Sequence, residues 1–94
     1  RDNVTVLGAR FQKVGEREKS SLNIPYGLKI VELSSGKLKD AGLSEGFIIT
    51  HVNKKPIYEV NDFKREIGNA SGGILVEGIY PDGELAYFVF GVDK

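Results

Sequence analysis

The side chains that most often carry catalysis are rare in this chain and form no catalytic pattern. His51 is the only histidine, and there is no cysteine. A Ser-His-Asp site needs a nucleophile on a strained turn beside a paired base, but the sequence contains no G-x-S-x-G motif. We therefore predict no catalytic residue and no enzyme activity, and we interpret His51 as a structural or exposed residue of a strand.

Metal and phosphate sites are excluded on similar grounds. One histidine without cysteine cannot supply the ligands of a typical zinc site. Gly36-Lys37 lacks the partner glycine of a phosphate-binding loop of the form G-x-x-x-x-G-K-[ST]. We expect no metal and no cofactor.

The length and charge of the chain limit its partners. The 94 residues suit one domain, and Lys plus Arg equal Asp plus Glu at 13 each. Without a net charge, no long-range field would attract nucleic acid or an acidic membrane. No apolar run is long enough to span a bilayer. The chain begins at Arg1 and contains no methionine, so we expect it to be a piece of a longer protein.

The elements that must position any site are mostly β-strands. β-rich runs occupy residues 4–14, 28–33, 47–52, 74–80 and 84–92, and a short edge strand is predicted at 56–58. Short helices are predicted at 16–22, at 37–41, and from a cap at Asn61 or Asp62 to about residue 68. These elements predict an α+β fold, mostly β: a partial antiparallel barrel or sandwich of about five or six strands capped by two or three short helices.

The turn before the strand at 47–52 carries several local signals. Ser35 can cap the preceding helix. Gly42 stands where the residue after a helix needs φ > 0, and Leu43 would fold back as its apolar contact. Gly46 opens a second turn. We therefore predict helix, glycine stop, tight turn and strand in direct succession.

The same residues resemble a known family. Ala41-Gly42-Leu43, two further residues, Gly46 and an apolar strand ending in Val52-Asn53 form a pattern that resembles PDZ domains of bacterial type, and the resemblance extends over residues 6–92. A PDZ domain binds a peptide as an extra strand at a sheet edge beside a helix. Its apolar-Gly-apolar loop holds the peptide carboxylate with backbone N–H groups.

Two places in this chain fit such a loop, Leu7-Gly8-Ala9 and Tyr26-Gly27-Leu28. The resemblance implies two strands between the loop and the Ala41-Gly42-Leu43 turn. Two predicted strands follow Leu7, whereas only one follows Tyr26. The strand count therefore favours Leu7-Gly8-Ala9.

With this register, the strand that is N-terminal in animal PDZ domains comes last, at 84–92. This circularly permuted order and the helical insert at 16–22 resemble the second, C-terminal PDZ domain of HtrA/Deg-type bacterial serine proteases. The resemblance implies a linker at 1–3, a PDZ domain at 4–94, and a periplasmic location. One residue departs from the pattern: Phe47 stands where the family usually carries Asp, so that turn loses a side-chain acceptor.

Carried over residue by residue, the resemblance implies a groove between the strand at 9–11 and the helix that starts near Val60. The last side chain of a bound peptide would rest among Leu7, Ala9, Phe11, Phe63 and Ile67. The complete predicted set of peptide- and carboxylate-binding residues is Leu7, Gly8, Ala9, Arg10, Phe11, Val60, Phe63, Lys64 and Ile67.

Two functions stay open at this point. In the first, the domain presents polypeptide C-termini or unfolded segments to a protease domain. In the second, it docks on neighbouring PDZ or protease domains and helps to build a homo-oligomer; the small Ala9 and the apolar Phe47 favour this reading. A third, remoter reading places the domain in another membrane-associated or processing protease. Leu7, Phe11, Phe63 and Ile67 fit a role as ordinary core residues equally well.

Overall fold

The computed structural model describes residues 5–92, which form one mostly antiparallel sheet with three short helices. The strands are β1 Thr5–Val6, β2 Ala9–Lys13, β3 Leu28–Leu33, β4 Ile48–Val52, β5 Lys55–Pro56, β6 Gly73–Ile79 and β7 Leu85–Gly91. The helices are α1 Glu16–Leu22, α2 Lys37–Ala41 and α3 Val60–Asn69. This confirms the predicted fold class, with seven strands because the run at 4–14 folds as a two-stranded hairpin. The predicted linker at 1–3 lies outside the described residues.

The strands follow the order β1-β2-β3-β4-β6-β7 across the sheet, and β5 pairs with β4 off this path. Every pairing is antiparallel. The last strand, β7, ends the sheet beside β6, so the final strand of the chain completes the fold, as the permuted order predicts. The opposite end of the sheet is formed by β1 and β2.

Alternation along the strands separates an inner from an outer face of the sheet. On β2, Ala9 and Phe11 are buried whereas Gln12 is exposed, as the sequence pattern predicts. The main core lies between the inner face and the helices α2 and α3. Its largest fully buried side chains are Phe47, Phe63, Leu28, Ile30, Leu38, Ile49, Ile57, Ile74, Val52 and Val76.

A second, smaller cluster lies on the outer face, where Val14, Ile48 and Ile79 are buried. Leu22, at the end of α1, and Ile24, just beyond it, pack against this cluster. The chain can turn back between them because Asn23 has φ 58 and ψ 45, a left-handed conformation that asparagine tolerates at the end of a helix. Helix α1 thereby covers one part of the outer face.

The predicted cap of α2 is wrong. The residue before the helix is Gly36 rather than Ser35, and no side-chain cap bond is made there. Gly36 lies so close to the β1–β2 turn that a Cβ on it would stand 2.6 Å from the carbonyl oxygen of Leu7. This long-range contact, and not local capping, decides where α2 begins.

The predicted cap of α3 is also wrong. The cap residue is Glu59, and neither Asn61 nor Asp62 takes that position. Asp62 lies in the first turn of the helix, where its Oδ2 accepts the N–H of Tyr58 at 2.9 Å and that of Glu59 at 3.1 Å. Asp62 therefore satisfies donors that precede the helix, as the second acid of a capping box does.

The predicted glycine stop after α2 is confirmed. Gly42 has φ 109, and its N–H donates to Lys39 O at 3.1 Å while the N–H of Leu43 donates to Leu38 O at 3.1 Å. This pair of bonds is a Schellman motif, which requires a left-handed residue at this position. Gly46, with φ 95, makes the second predicted turn.

Phe47 follows directly and is fully buried. Its ring lies 4.8 Å from that of Tyr80 and 5.4 Å from that of Phe88, measured between ring centroids. A neighbouring carboxylate supplies a side-chain acceptor, since Glu45 Oε2 accepts the N–H of Leu33 at 3.2 Å. Position 47 therefore serves the core in this chain.

Candidate functional site

The β1–β2 hairpin turns over two residues, Leu7 and Gly8. Val6 pairs with Ala9 across it, and Leu7 and Gly8 have φ 54 and φ 91. Two positive φ values in a two-residue loop are typical of a type I′ turn. The N–H groups of the two turn residues lie outside the strand ladder, as binding of a carboxylate would require.

Gly8 is also a packing residue. Its carbonyl oxygen accepts the N–H of Ser34 at 2.8 Å, and a Cβ on it would stand 2.7 Å from Ser35 O. Gly36 makes the reciprocal close approach to Leu7. Both glycines are needed because two backbone segments touch here. The sequence pattern singled out Gly8 but not its contact with Gly36, which joins residues far apart in the chain.

The outer edge of β2 is only partly covered. β3 pairs with all of β2, whereas β1 pairs with Ala9 and Arg10 alone. Within the described residues, no strand pairs with residues 11–13 on that side. This short edge lies beside α3, which packs against β2.

The hydrogen bonds of Ile30 show which groups of β2 point to this free edge. Ile30 donates its N–H to Phe47 O at 2.9 Å, and its carbonyl accepts the N–H of Gly46 at 2.8 Å, so both groups face away from β2. Ile30 is opposite Phe11, which makes this a non-hydrogen-bonded pair. The N–H and C=O of Phe11 therefore point outward, and by alternation so do those of Lys13.

All five predicted pocket residues belong to the main core or pack against it. Ala9, Phe11 and Phe63 belong to the main core cluster, and Leu7 and Ile67 are half-buried against it. The rings of Phe11 and Phe63 lie 5.0 Å apart and fill the space between β2 and α3. Ala9 and Phe63 are fully buried, so a ligand would meet Leu7 and Ile67 first. The binding role of these residues stays a prediction.

The remaining predicted site residues line the rim. Arg10 pairs with Glu32 on β3, with Nε 2.9 Å from Oε1. Val60 is half-buried at the start of α3, and Lys64 is exposed on the same helix. An exposed ion pair such as Arg10–Glu32 contributes little to stability, so Arg10 is free to change partners.

The pKa of Asp62, near the start of α3, is displaced by its surroundings. Burial would raise its pKa, but the N–H of Tyr58, the Arg65 guanidinium and the N–H of Glu59 outweigh this effect. Arg65 Nη2 lies 3.0 Å from Asp62 Oδ1. These donors hold the pKa of Asp62 below its ordinary value, so the start of α3 depends on an ionised carboxylate.

The competing loop, Tyr26-Gly27-Leu28, is engaged in packing. Gly27 O accepts the N–H of Val14 at 3.1 Å, and a Cβ on Gly27 would stand 2.5 Å from Ile48 Cγ2. Only β3 lies between Gly27 and the turn at Gly42, whereas β2 and β3 follow Leu7. The strand count made from the sequence is therefore correct.

His51 is held by hydrogen bonds to its neighbours. Its Nε2 lies 3.0 Å from the Tyr26 hydroxyl and its Nδ1 lies 3.0 Å from Thr50 Oγ1. Thr50 donates its only hydroxyl hydrogen to Glu77 O, so Nδ1 must be the donor to Thr50. Among residues 5–92, no group of three or more His, Cys, Asp or Glu side chains is arranged to hold a metal.

The comparisons with known proteins agree with this geometry at the level of the family. A family model described as PDZ-like domain matches residues 2–71, well over half of the 94-residue chain. No curated protein matches the chain at a significant level. In the described part of the chain, every helix is too short or too polar to cross a membrane.

Proposed function

This chain belongs to the family of PDZ-like domains, and from that premise we propose that it is the non-catalytic PDZ module of a periplasmic serine protease of the HtrA/Deg type. A PDZ-like domain is a protein-interaction module and is generally non-catalytic. In this proposal the module binds polypeptide C-termini or extended segments as a strand added to β2.

The observation that carries this proposal is the open end of β2. Phe11 and Lys13 direct their N–H and C=O groups to an edge beside α3 that no strand within residues 5–92 covers. The edge starts at a turn whose N–H groups lie outside the ladder. An extended peptide can pair with the edge while its carboxylate approaches Leu7 and Gly8.

The same geometry limits the affinity. β1 already covers Ala9 and Arg10, and the rings of Phe11 and Phe63 occupy the space that a peptide side chain would need. Binding must therefore order the peptide and open this contact, both of which cost free energy. We expect dissociation constants on the order of 1–100 μM, or about −5.5 to −8 kcal/mol.

The test is a titration of the ¹⁵N-labelled chain with peptides that end in a free apolar residue. Backbone amides at residues 7–13 and in α3 should shift, and amidating the peptide C-terminus should weaken the effect. Gly8→Val is a poor probe because the added side chain would also push against Ser35 O.

Lys13→Pro is a sharper probe. Proline removes an N–H that points to the free edge and leaves the β2–β3 ladder intact. We expect peptide binding to fall about tenfold with little change in unfolding. Gln12→Ala is the control, because Gln12 is exposed but its backbone faces β3. If no free C-terminal peptide moves these amides, binding by strand addition to β2 is refuted.

A second candidate function is assembly, in which the module docks on neighbouring PDZ or protease domains. The closed Phe11–Phe63 contact and the exposed apolar side chains of β7 favour it.

The proposed HtrA/Deg context has its own test, which is to read the coding sequence upstream of Arg1. A trypsin-like domain followed by another PDZ domain is the expected result, and an unrelated upstream domain would refute it.

A further inference from the structure

The last strand of the fold exposes a row of large apolar side chains. Leu85, Tyr87 and Val89 are 77%, 70% and 63% exposed, and all three stand on the outer face of β7. The alternate residues Ala86, Phe88 and Phe90 are half-buried against the main core. Together the exposed row presents roughly 400 Å² of surface, which is comparable to the largest apolar patch of a typical monomer.

Within residues 5–92, the same strand has an unpaired backbone edge, which lies in the plane of the sheet on the side away from β6. Leu75 lies opposite Val89 in the β6–β7 ladder. Its carbonyl accepts the N–H of Asn53, and its own N–H donates to the side-chain oxygen Oδ1 of Asn53. Both groups of Leu75 therefore point away from β7, which makes Leu75–Val89 a non-hydrogen-bonded pair. The N–H and C=O of Val89 therefore point away from β6, and by alternation so do those of Tyr87 and Leu85. β7 ends the sheet, and no described strand meets this edge.

Nothing in the sequence of β7 protects this edge. Residues 85–91 contain no charge and no proline, the two devices with which edge strands usually avoid pairing. A long, apolar, unprotected edge is suited to receive another strand.

The row is complementary to itself. If a second β7 runs antiparallel with Tyr87 opposite Tyr87 of the second copy, Leu85 faces Val89 of that copy and small Ala86 faces large Phe88. The arrangement is symmetric, so each unlike pair occurs twice. Aromatic pairs and matched small and large side chains are favourable neighbours across strands.

The register also brings charged side chains together. A cavity of about 260 Å³ lies between α2 and β7 and is lined by Lys37, Asp40, Ala41, Val89, Phe90 and Gly91. In the symmetric pairing, Glu84 of the second copy is opposite Phe90 and therefore stands next to this cavity. Its carboxylate comes to the side of the sheet on which both Lys37 and Asp40 lie, so charge neither favours nor opposes this register strongly.

We propose that a second copy of this chain pairs with the free edge of β7, antiparallel and centred on Tyr87, to form a two-fold symmetric dimer with one continuous sheet. Leu85, Tyr87 and Val89 of each copy exchange backbone hydrogen bonds with the other. Edge pairing covers only part of the exposed row, which in full is about half the roughly 800 Å² per partner of a standard interface, so the dimer is weak. The proposal rests on β7 and not on the edge of β2, so it stands or falls separately from peptide binding.

The test is sedimentation of the 94-residue chain at increasing concentration. The average mass should rise toward that of two chains between about 10 μM and about 1 mM, as expected for a small interface. Tyr87→Lys and Tyr87→Glu should each weaken association about tenfold or more, because like charges then meet on the two-fold axis. Tyr58→Lys, which changes another exposed tyrosine, should leave association unchanged.

Mixing the two Tyr87 variants provides the decisive measurement. The symmetric register places opposite charges together only in the mixed dimer, so the mixture should associate more strongly than either variant alone. A mixture of Leu85→Glu with Val89→Lys should likewise recover association, because these positions face each other. A chain that stays monomeric up to about 1 mM, or variants that do not recover on mixing, would overturn the proposal. Peptides that shift the β7 amides of a monomeric chain would assign this edge to a different partner and also overturn it.

Discussion

Substituting Gly42 measures the free-energy cost of placing a side chain on the left-handed backbone of the turn before β4. Gly42→Ala must place a Cβ at φ 109 and ψ 0. Holding a non-glycine residue in such a conformation costs about 1–3 kcal/mol. Alanine restricts the unfolded chain more than glycine does, which offsets about 0.4–1 kcal/mol of this cost. The new Cβ would lie 3.4 Å from Phe88 Cε1, which adds little. We therefore expect a net loss of about 1–2 kcal/mol in the free energy of unfolding.

This loss is large enough to measure and small enough to leave the protein folded. For a chain of this size, 1 kcal/mol corresponds to about 4–8 °C in Tm, so Gly42→Ala should lower Tm by about 5–15 °C. Gly42→Val should lower it further, because a β-branched side chain is disfavoured still more at positive φ. Thermal unfolding followed by circular dichroism, together with urea titration, gives both quantities.

Gly68→Ala is the matched control. Gly68 lies in the last turn of α3, and a Cβ there would meet nothing within 4 Å. Alanine is up to about 0.5–1 kcal/mol more favourable than glycine in a helix, with less of this gain near a helix end, so Tm should rise slightly. The same substitution thus has opposite signs at the two positions. If Gly42→Ala left Tm unchanged or raised it, the left-handed turn and its Schellman bonds would be wrong.

Three further predictions follow from the site. Because the pKa of Asp62 is lowered in the folded state, the stability it supplies is present above its unfolded pKa of about 3.9 and is lost as pH falls through the lower folded value. The urea midpoint should accordingly drop below about pH 4 in the native chain and drop less in Asp62→Asn, and equal slopes would contradict the role of Asp62. Phe63→Ala should cost about 3–5 kcal/mol in urea unfolding, because the ring is fully buried beside Phe11, and a loss below 1 kcal/mol would contradict that packing. The purified chain should not cleave casein; inhibitor-sensitive cleavage that persists through further purification would show a catalytic site that we do not recognise.

Local chemistry determined much of this fold from the sequence alone. Gly42 occupies positive φ where the sequence predicts it and Gly46 makes the predicted second turn, because glycine adopts that conformation at little cost. The burial of Ala9 and Phe11 follows from the two-residue period of a strand. These signals act over a few residues, so no knowledge of the rest of the chain is needed to read them.

The two wrong helix caps show that local sequence signals do not by themselves determine where a helix begins. Ser35 is a good capping residue by type, but the approach of Gly36 to Leu7 moves the start of α2 by one residue. At α3, the side chain of Asp62 accepts N–H groups from the chain before the helix, and the cap passes to Glu59. Capping energies are only about 1 kcal/mol, so a good capping residue does not by itself determine where a helix begins.

The candidate site divides in the same way. Residue types and the family pattern predicted that Leu7, Phe11, Phe63 and Ile67 lie on inward faces, and all four belong to the main core or pack against it. Whether the groove between them is open depends on how the rings of Phe11 and Phe63 pack and on the pairing of β1 with β2. The sequence likewise does not show that β7 is an edge strand, because its residues form an ordinary apolar run. A buried strand and an edge strand share that composition, and only the order of strands in the sheet decides which one it is.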